Sequence, residues 1–344
     1  MAGPPISIRT RRPVNGSLLE QLSSRLIGQP RALSQIAPYV QMHRSGLAPE
    51  ARPAGVFLLL GPTGTGKTKT VEVLAETLHG SEKHLIRVDC GEFQMEHEVA
   101  KLIGAPPGYL GHRETQPMLT QQKLSAVTSE DCNLTLVLFD EIEKAAPSMT
   151  RLLLGVLDKA VLRLGDNTTV NFERSMIFLT SNLGADAIRK ELKPDFGFEA
   201  MVPGGREGRT GKLDQIGMGA VRRSFTPEFV NRIDAVITYG PLDAKAMSTI
   251  LEQQLESLRR HIRTRLEENA FELELTKAAR ELLLRKGTSS EYGARELKRT
   301  ILRLLTQPLA AMVESGKIAP DSLVRADRAP DGEHLELLPD EPRE

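Results

Sequence analysis

The chain contains no tryptophan, four tyrosines and ten phenylalanines, so aromatic residues make up only 4% of its 344 residues. A surface that stacks successive bases on aromatic rings is poorly supplied by such a composition. Neither sign of charge is in excess, since Lys plus Arg and Asp plus Glu both number 45. A nucleic-acid partner is therefore disfavoured, and any basic surface has to be local. There are only two cysteines, Cys90 and Cys132. Each sits in or beside an apolar strand-like segment, and the pair lacks metal-ligand spacing, which excludes a cysteine-based metal site. Core packing in a reducing compartment is their expected role. No stretch approaches the roughly 20 apolar residues a membrane helix needs. The N-terminal run MAGPPISIRTRRPVNG has arginines but no following apolar segment. The expectation is a soluble, cytoplasmic protein with no membrane partner.

What the chain does have is length for about two domains and a regular alternation of short apolar runs with amphipathic helical stretches. Residues 56–60, 85–88, 134–139 and 175–180, with 235–239 as a fifth, read as buried strands. Continuous apolar runs of this kind predict an α/β fold, a parallel β-sheet sandwiched by helices, with ligands beyond the carboxyl ends of the strands. Pro241 marks a boundary. Residues 1–16 are expected to be a flexible segment, 17–240 a large domain, and 241–344 a smaller α+β domain. The latter opens with a long charged helix over 244–270, followed by a strand-like run at 271–275, two more helices and a pair of short strands around Leu323-Val324 and 335–338. Pro330-Asp331-Gly332 between those strands signals a hairpin. Residues 198–219, rich in glycine and polar side chains, look disordered.

The most telling motif is Gly61-Pro62-Thr63-Gly64-Thr65-Gly66-Lys67-Thr68, placed between the first apolar run and a helical pattern. Strand, glycine loop and helix in that order let backbone N–H groups turn toward a polyphosphate at a helix N-terminus. Lys67 is then expected to reach the β- and γ-phosphates, and the Thr68 hydroxyl to ligate Mg²⁺, which makes ATP and Mg²⁺ the expected ligands. The run 134–139 ends in Asp140-Glu141. Near a Mg·nucleotide, Asp140 would hold the metal or its water shell and Glu141 would polarise the attacking water. Asn182, ending the run Phe178-Leu179-Thr180-Ser181-Asn182, either orients that water or senses the γ-phosphate, or else simply caps the helix that follows.

These motifs, together with the runs FDEIEKA, FLTSNLGA, FTPEFVNRID and YGARELKR, occur in an order that resembles the AAA+ ATPases of the Clp unfoldase family. Over about residues 17–340 the pattern is similar to the second ATPase module of ClpB, ClpA and ClpC. No first module, coiled-coil middle domain or folded N-terminal domain is legible, so a stand-alone single-module chain is expected. The resemblance implies an AAA+ P-loop fold with a Clp-type small domain and ATP hydrolysis in a hexameric ring of copies of the chain. It implies that Ile27, in Leu26-Ile27-Gly28-Gln29, lines the adenine pocket and that Asn182 is sensor 1. Arg232 becomes the arginine finger reaching a neighbouring subunit, and Arg295 becomes sensor 2. A planar, permanently charged guanidinium suits the oxygens of a transferring phosphoryl group, although either arginine could instead serve a structural ion pair.

Gly104-Ala105-Pro106-Pro107-Gly108-Tyr109-Leu110-Gly111 has too much proline and glycine for a helix or central strand and displays Tyr109 at its tip. By composition alone this is a surface turn. The resemblance implies that Tyr109 and Leu110 face the axial channel and grip polypeptide substrates by sequence-tolerant apolar contact. The following His112-Arg113-Glu114-Thr115-Gln116-Pro117 departs from the family's more acidic, glycine-containing continuation. Phe196-Gly197-Phe198 imperfectly resembles the tripeptide that docks a ClpP-type peptidase in protease-associated relatives. Three functions stay open: an ATP-driven unfoldase or remodelling chaperone, an ATP-gated assembly scaffold, and, less favoured by charge and composition, a nucleic-acid motor.

Overall fold

A computed structural model describes residues 17–104, 117–192, 205–289 and 293–340. Its centre is a five-stranded sheet of β1 (Gly55–Leu60), β2 (Ile86–Asp89), β3 (Thr135–Asp140), β6 (Ser175–Ser181) and β7 (Ala235–Thr238) in the order β2-β3-β6-β1-β7. All neighbouring strands are parallel, with Leu60 opposite Ser181 and Phe139 opposite Leu179. The five apolar runs are these five strands, with ends shifted by about a residue, as strand ends routinely are.

Because side chains alternate across a strand, each continuous run feeds two cores. Val56, Leu58 and Leu60 join Val137, Phe139, Ile177 and Leu179 on one face, under the helices Pro147–Lys159 and Gly205–Ser224. Phe57 and Leu59 join Leu136, Leu138, Met176 and Phe178 on the other, under Pro30–Ser45 and Lys67–His79. There Phe57 stacks on Phe178 at 5.3 Å and meets Tyr39 edge-on at 5.0 Å. Burial of rings of this size dominates the stability of a core.

Two features differ from expectation. The stretch 198–219 is not disordered in its described part, since from Gly205 onward it belongs to the helix Gly205–Ser224, which buries Leu213, Ala220 and Val221. A Cβ at Gly217 would come within 3.2 Å of both Leu60 Cδ1 and Thr238 Oγ1. Glycine is there because the helix lies close to the ends of β1 and β7, and that close approach offsets its poor helix propensity. Residues 198–204 lie outside the described residues. The short antiparallel pair β4 (Val161–Arg163) and β5 (Thr169–Asn171) was not anticipated, because each strand buries a single side chain and so leaves little pattern.

Beyond Pro241 the helix Ala244–Leu266 ends in a 3₁₀ turn, Glu267–Asn269, and so stops short of the expected residue 270. β8 (Glu272–Leu275) pairs parallel with β9 (Leu323–Arg328), and β9 pairs antiparallel with β10 (Leu335–Pro339). The hairpin turn is held by the Asp331 carboxylate, which accepts from the Glu333 and His334 N–H groups. Lys277–Gly287 and a helical run from Ala294 to Glu314, with a π segment at Leu302–Thr306, pack on this sheet around Leu251, Leu255, Leu283, Leu297 and Val324.

Candidate functional site

Strand order assembles the site. β6 lies between β1 and β3, so the loop after β1, the acidic pair after β3 and the amide after β6 emerge side by side at one edge of the sheet. In the loop, Gly61, Gly64 and Gly66 adopt φ of 141°, 77° and 102°. A Cβ on Gly61 would stand 2.6 Å from the Tyr239 carbonyl oxygen, so no other residue fits there. The helix Lys67–His79 begins directly after Gly66, which leaves its first-turn N–H groups without intrahelical partners.

Lys67 is buried, and its ammonium folds back over the loop to donate to Gly61 O at 2.6 Å, Pro62 O at 2.9 Å and Asn182 Oδ1 at 2.9 Å. Burial pulls its pKa down to about 8, against the pull of Glu143, Asp140 and Glu141, which favour the charged form. Asp140 has one carboxylate oxygen 3.5 Å from Thr68 Oγ1 and accepts a short hydrogen bond from Thr180 Oγ1 on that same oxygen. Its other oxygen pairs with Arg87.

Glu141 stands in the left-handed region at φ 57°, a strained conformation for a residue with a side chain. Thr180 Oγ1 holds it there by accepting from Glu141 N at 3.0 Å. The Glu141 carboxylate lies between Asn182 Nδ2 at 3.3 Å and Lys144 Nζ at 2.5 Å. Asn182 is thereby a bridge, accepting from Lys67 and donating to Glu141, while its own N–H donates to Glu143 Oε1 at 3.0 Å. It is not used as a helix cap through its side chain.

A cavity of about 340 Å³ opens above these groups. Thr63 to Thr68 and Asp140, Glu141 and Asn182 line it, with Ile27 and Leu242 on its apolar side and Arg295 contributed by the C-terminal helical run. Of the expected site residues, Gly61 and Pro62 lie beneath the cavity as acceptors for Lys67. Arg232 is placed elsewhere: its guanidinium reaches Asp158 at 3.4 Å and Glu228 at 3.2 Å, and its Nε is buried without a partner. Tyr109 and Leu110, and Phe196 to Phe198, lie outside the described residues.

The donor set suits a polyphosphate with Mg²⁺. Lys67 and Arg295 bring positive charge to the same wall as the loop N–H groups. Thr68 and Asp140 supply hard oxygen ligands. Among the described residues no group of three or more His, Cys, Asp or Glu could hold a metal ion by itself.

Sequence reasoning missed Thr180, Arg87 and Glu143, and it placed Gln29 only in the adenine-pocket segment, not in contact with the loop. Thr180 and Arg87 carried a signal, each being a polar side chain in or at the end of an apolar strand run. Glu143 and the contacts of Gln29 carried none, because their partners, Asn182 and the carbonyls of Thr65 and Gly240, are distant in sequence.

Comparison with known proteins extends these observations. The family model described as AAA domain (Cdc48 subfamily) matches residues 52–236, and that of the C-terminal, D2-small domain of ClpB protein matches 242–326. The chaperone protein ClpB of Meiothermus ruber is 37% identical over 322 residues, which cover 94% of this chain and 35% of that protein. The ClpB of Rhodopseudomonas palustris is 40% identical over 299 residues, covering 87% and 31% respectively. The chain thus spans about a third of the length of these curated relatives. Among solved structures, the closed-state cryo-EM reconstruction of Hsp104 with ATPγS and FITC-casein superimposes with a TM-score of 0.76 at 31% identity, over 93% of this chain and 51% of that one. The extended conformation of the S. cerevisiae Hsp104–casein complex gives 0.78 at 30%, with the same coverage.

Proposed function

The chain belongs to the AAA domain family and has the form of a ClpB-type second ATPase module, and on that premise we propose that it is an ATP-hydrolysing protein unfoldase or remodelling chaperone. The observation that carries the ATPase reading is the convergence of Lys67, Thr68, Asp140, Glu141, Asn182 and Arg295 on one cavity wall, from four separate parts of the chain. The unfoldase reading is supported by the likeness to ClpB chaperones and to Hsp104 structures that contain casein.

In the proposed reaction the loop N–H groups and Lys67 bind the phosphates, and Ile27 and Leu242 cover the adenine. Thr68 and Asp140 would hold Mg²⁺, which would supply positive charge against the phosphates. Glu141 takes the proton of the attacking water. Its strained backbone and its contacts to Asn182 and Lys144 fix the carboxylate before substrate arrives, so little reorganisation is left for the reaction itself. Arg295 neutralises charge on the γ-phosphoryl group from the same chain.

Arg232 cannot serve this cavity from its observed position, and we assign it to the site of an adjacent copy. The assembly is then a head-to-tail ring, hexameric as in the family, in which each site is completed by its neighbour. Tyr109 and Leu110 are assigned to the channel of that ring, where they thread polypeptide, and the cytoplasm is the proposed location.

Glu141→Gln tests the assignment. The variant keeps the shape of the site and removes the base, so ATP binding is expected to be retained while turnover falls by about 100-fold or more. It should also retain polypeptide clients in an ATP-dependent pull-down. Turnover near the unmodified rate would remove Glu141 from the mechanism.

A further inference from the structure

The glycine loop is fastened to the second half of the chain at three places. The first is beneath Gly61: Tyr239 N donates to Leu60 O at 2.7 Å, and the Tyr239 carbonyl fills the space a Cβ on Gly61 would need. The second is Gln29. Its carboxamide is buried, and Nε2 donates both to Thr65 O at 3.0 Å and to Gly240 O at 3.0 Å. One amide hydrogen is spent on the loop and the other on the residue just before Pro241. The third is Gly64, whose carbonyl accepts from Ala294 N at 3.1 Å, at the start of the helix Ala294–Ile301. Gly293 permits this approach, since at φ 49° a Cβ there would lie 2.7 Å from Gly64 O.

Gln29 is the middle fastening and is itself held. Its neighbour Gly28, at φ 82°, leaves no room for a side chain: a Cβ would meet Leu242 Cδ2 at 2.7 Å and Ala246 Cβ at 3.2 Å. The segment around Gln29 is therefore pressed onto the beginning of the helix Ala244–Leu266. Only a group with two hydrogens on one nitrogen can satisfy two carbonyls in this way. A carboxylate of the same shape has none to give. The Thr65 carbonyl is buried and Gly240 is half-buried, so losing the amide strands a polar group at the loop end of the tie first.

Resting on the nucleotide-site reading above, we propose that Gln29 is a positioning residue that ties the phosphate loop to the hinge at Gly240. A phosphate seated on the loop fixes the Thr65 peptide. Through the Gln29 carboxamide that constraint reaches Gly240, and with it the orientation of the helix Ala244–Leu266. The Gly64 to Ala294 bond carries the same constraint to the helix that bears Arg295.

Hydrogen–deuterium exchange of the full chain, with and without saturating ADP, tests this. In the unmodified chain ADP is expected to protect residues 61–68 and, with them, 239–246. Gln29→Met keeps the length of the side chain and removes both donors. Protection at 61–68 should survive in it, with ADP affinity weakened about tenfold, while the ADP-dependent protection at 239–246 is lost. A purely structural role would not separate the two segments. Gln29→Met with full ADP-dependent protection at 239–246 would overturn the proposal. Should that variant not fold, Gln29→Asn, which keeps the amide on a stem one methylene shorter, carries the same expectation and the same refutation. Absence of protection at 61–68 in the unmodified chain is a different result. It would sink the nucleotide-site reading, and the proposal with it.

Discussion

Tyr239 and Thr70 form a buried relay under the glycine loop whose direction can be measured. Tyr239 is fully buried, with its hydroxyl 2.7 Å from Thr70 Oγ1, and Thr70 Oγ1 is 2.9 Å from Gly66 O. A carbonyl only accepts, so the single Thr70 hydrogen goes to Gly66 and Tyr239 must donate to Thr70. That order makes the two deletions unequal. Tyr239→Phe removes a donor and strands nothing, since Thr70 keeps its own bond to Gly66. The expected loss is about 1 kcal/mol, the net worth of one buried neutral hydrogen bond. Thr70→Val keeps the shape, but it leaves the Tyr239 hydroxyl with no acceptor and takes one of two donors from Gly66 O, which retains the bond from Thr70 N at 2.9 Å. The expected loss is about 2–4 kcal/mol. In the double variant the stranded hydroxyl is gone, so its loss should fall below the sum of the two by about 1–2 kcal/mol. Urea denaturation followed by far-UV circular dichroism measures all three, since the chain has no tryptophan to report by fluorescence. Additive losses, or a Tyr239→Phe loss equal to that of Thr70→Val, would refute the relay.

Nucleotide affinity should depend on pH through Lys67, whose free-protein pKa lies near 8. Bound phosphate favours the ammonium and raises that pKa, so affinity is full below pH 8 and falls as pH rises through it, by about tenfold from pH 7 to 9. Calorimetric ADP titrations measure this, and a flat profile would contradict it. Arg232→Ala subunits mixed into unmodified protein should depress ATPase activity by more than their share, whereas strictly proportional activity would argue against action across subunits. Tyr109→Ala is expected to leave basal ATPase activity within about twofold while unfolding of a tagged substrate is lost. Retained unfolding would take Tyr109 out of the channel.

How much of this was legible before folding differs from residue to residue. Lys67 and Thr68 were readable because glycine spacing is a local constraint, set by the backbone conformations that a phosphate-cradling loop requires. The five strands were readable because burial on both faces leaves continuous apolar runs. The helix over 205–219 was not: its Gly217 answers to Leu60 and Thr238, side chains that no local window contains. The short strands β4 and β5 were hidden for a related reason, having too little buried surface to leave a period.

The sequence by itself determined the chemistry available: a loop that turns N–H groups outward, a lysine, a pair of carboxylates, an amide and two arginines, each at the end of a predictable element. Which of these meet was decided by the tertiary structure alone. The placement of β6 between β1 and β3 sets Asn182 between Lys67 and Glu141, and the contact of Gly293 with Gly64 brings Arg295 to the cavity while Arg232 is left on another face. Motifs are written in local backbone constraints, whereas a site depends on strand order and interdomain contact, which couple residues more than a hundred positions apart.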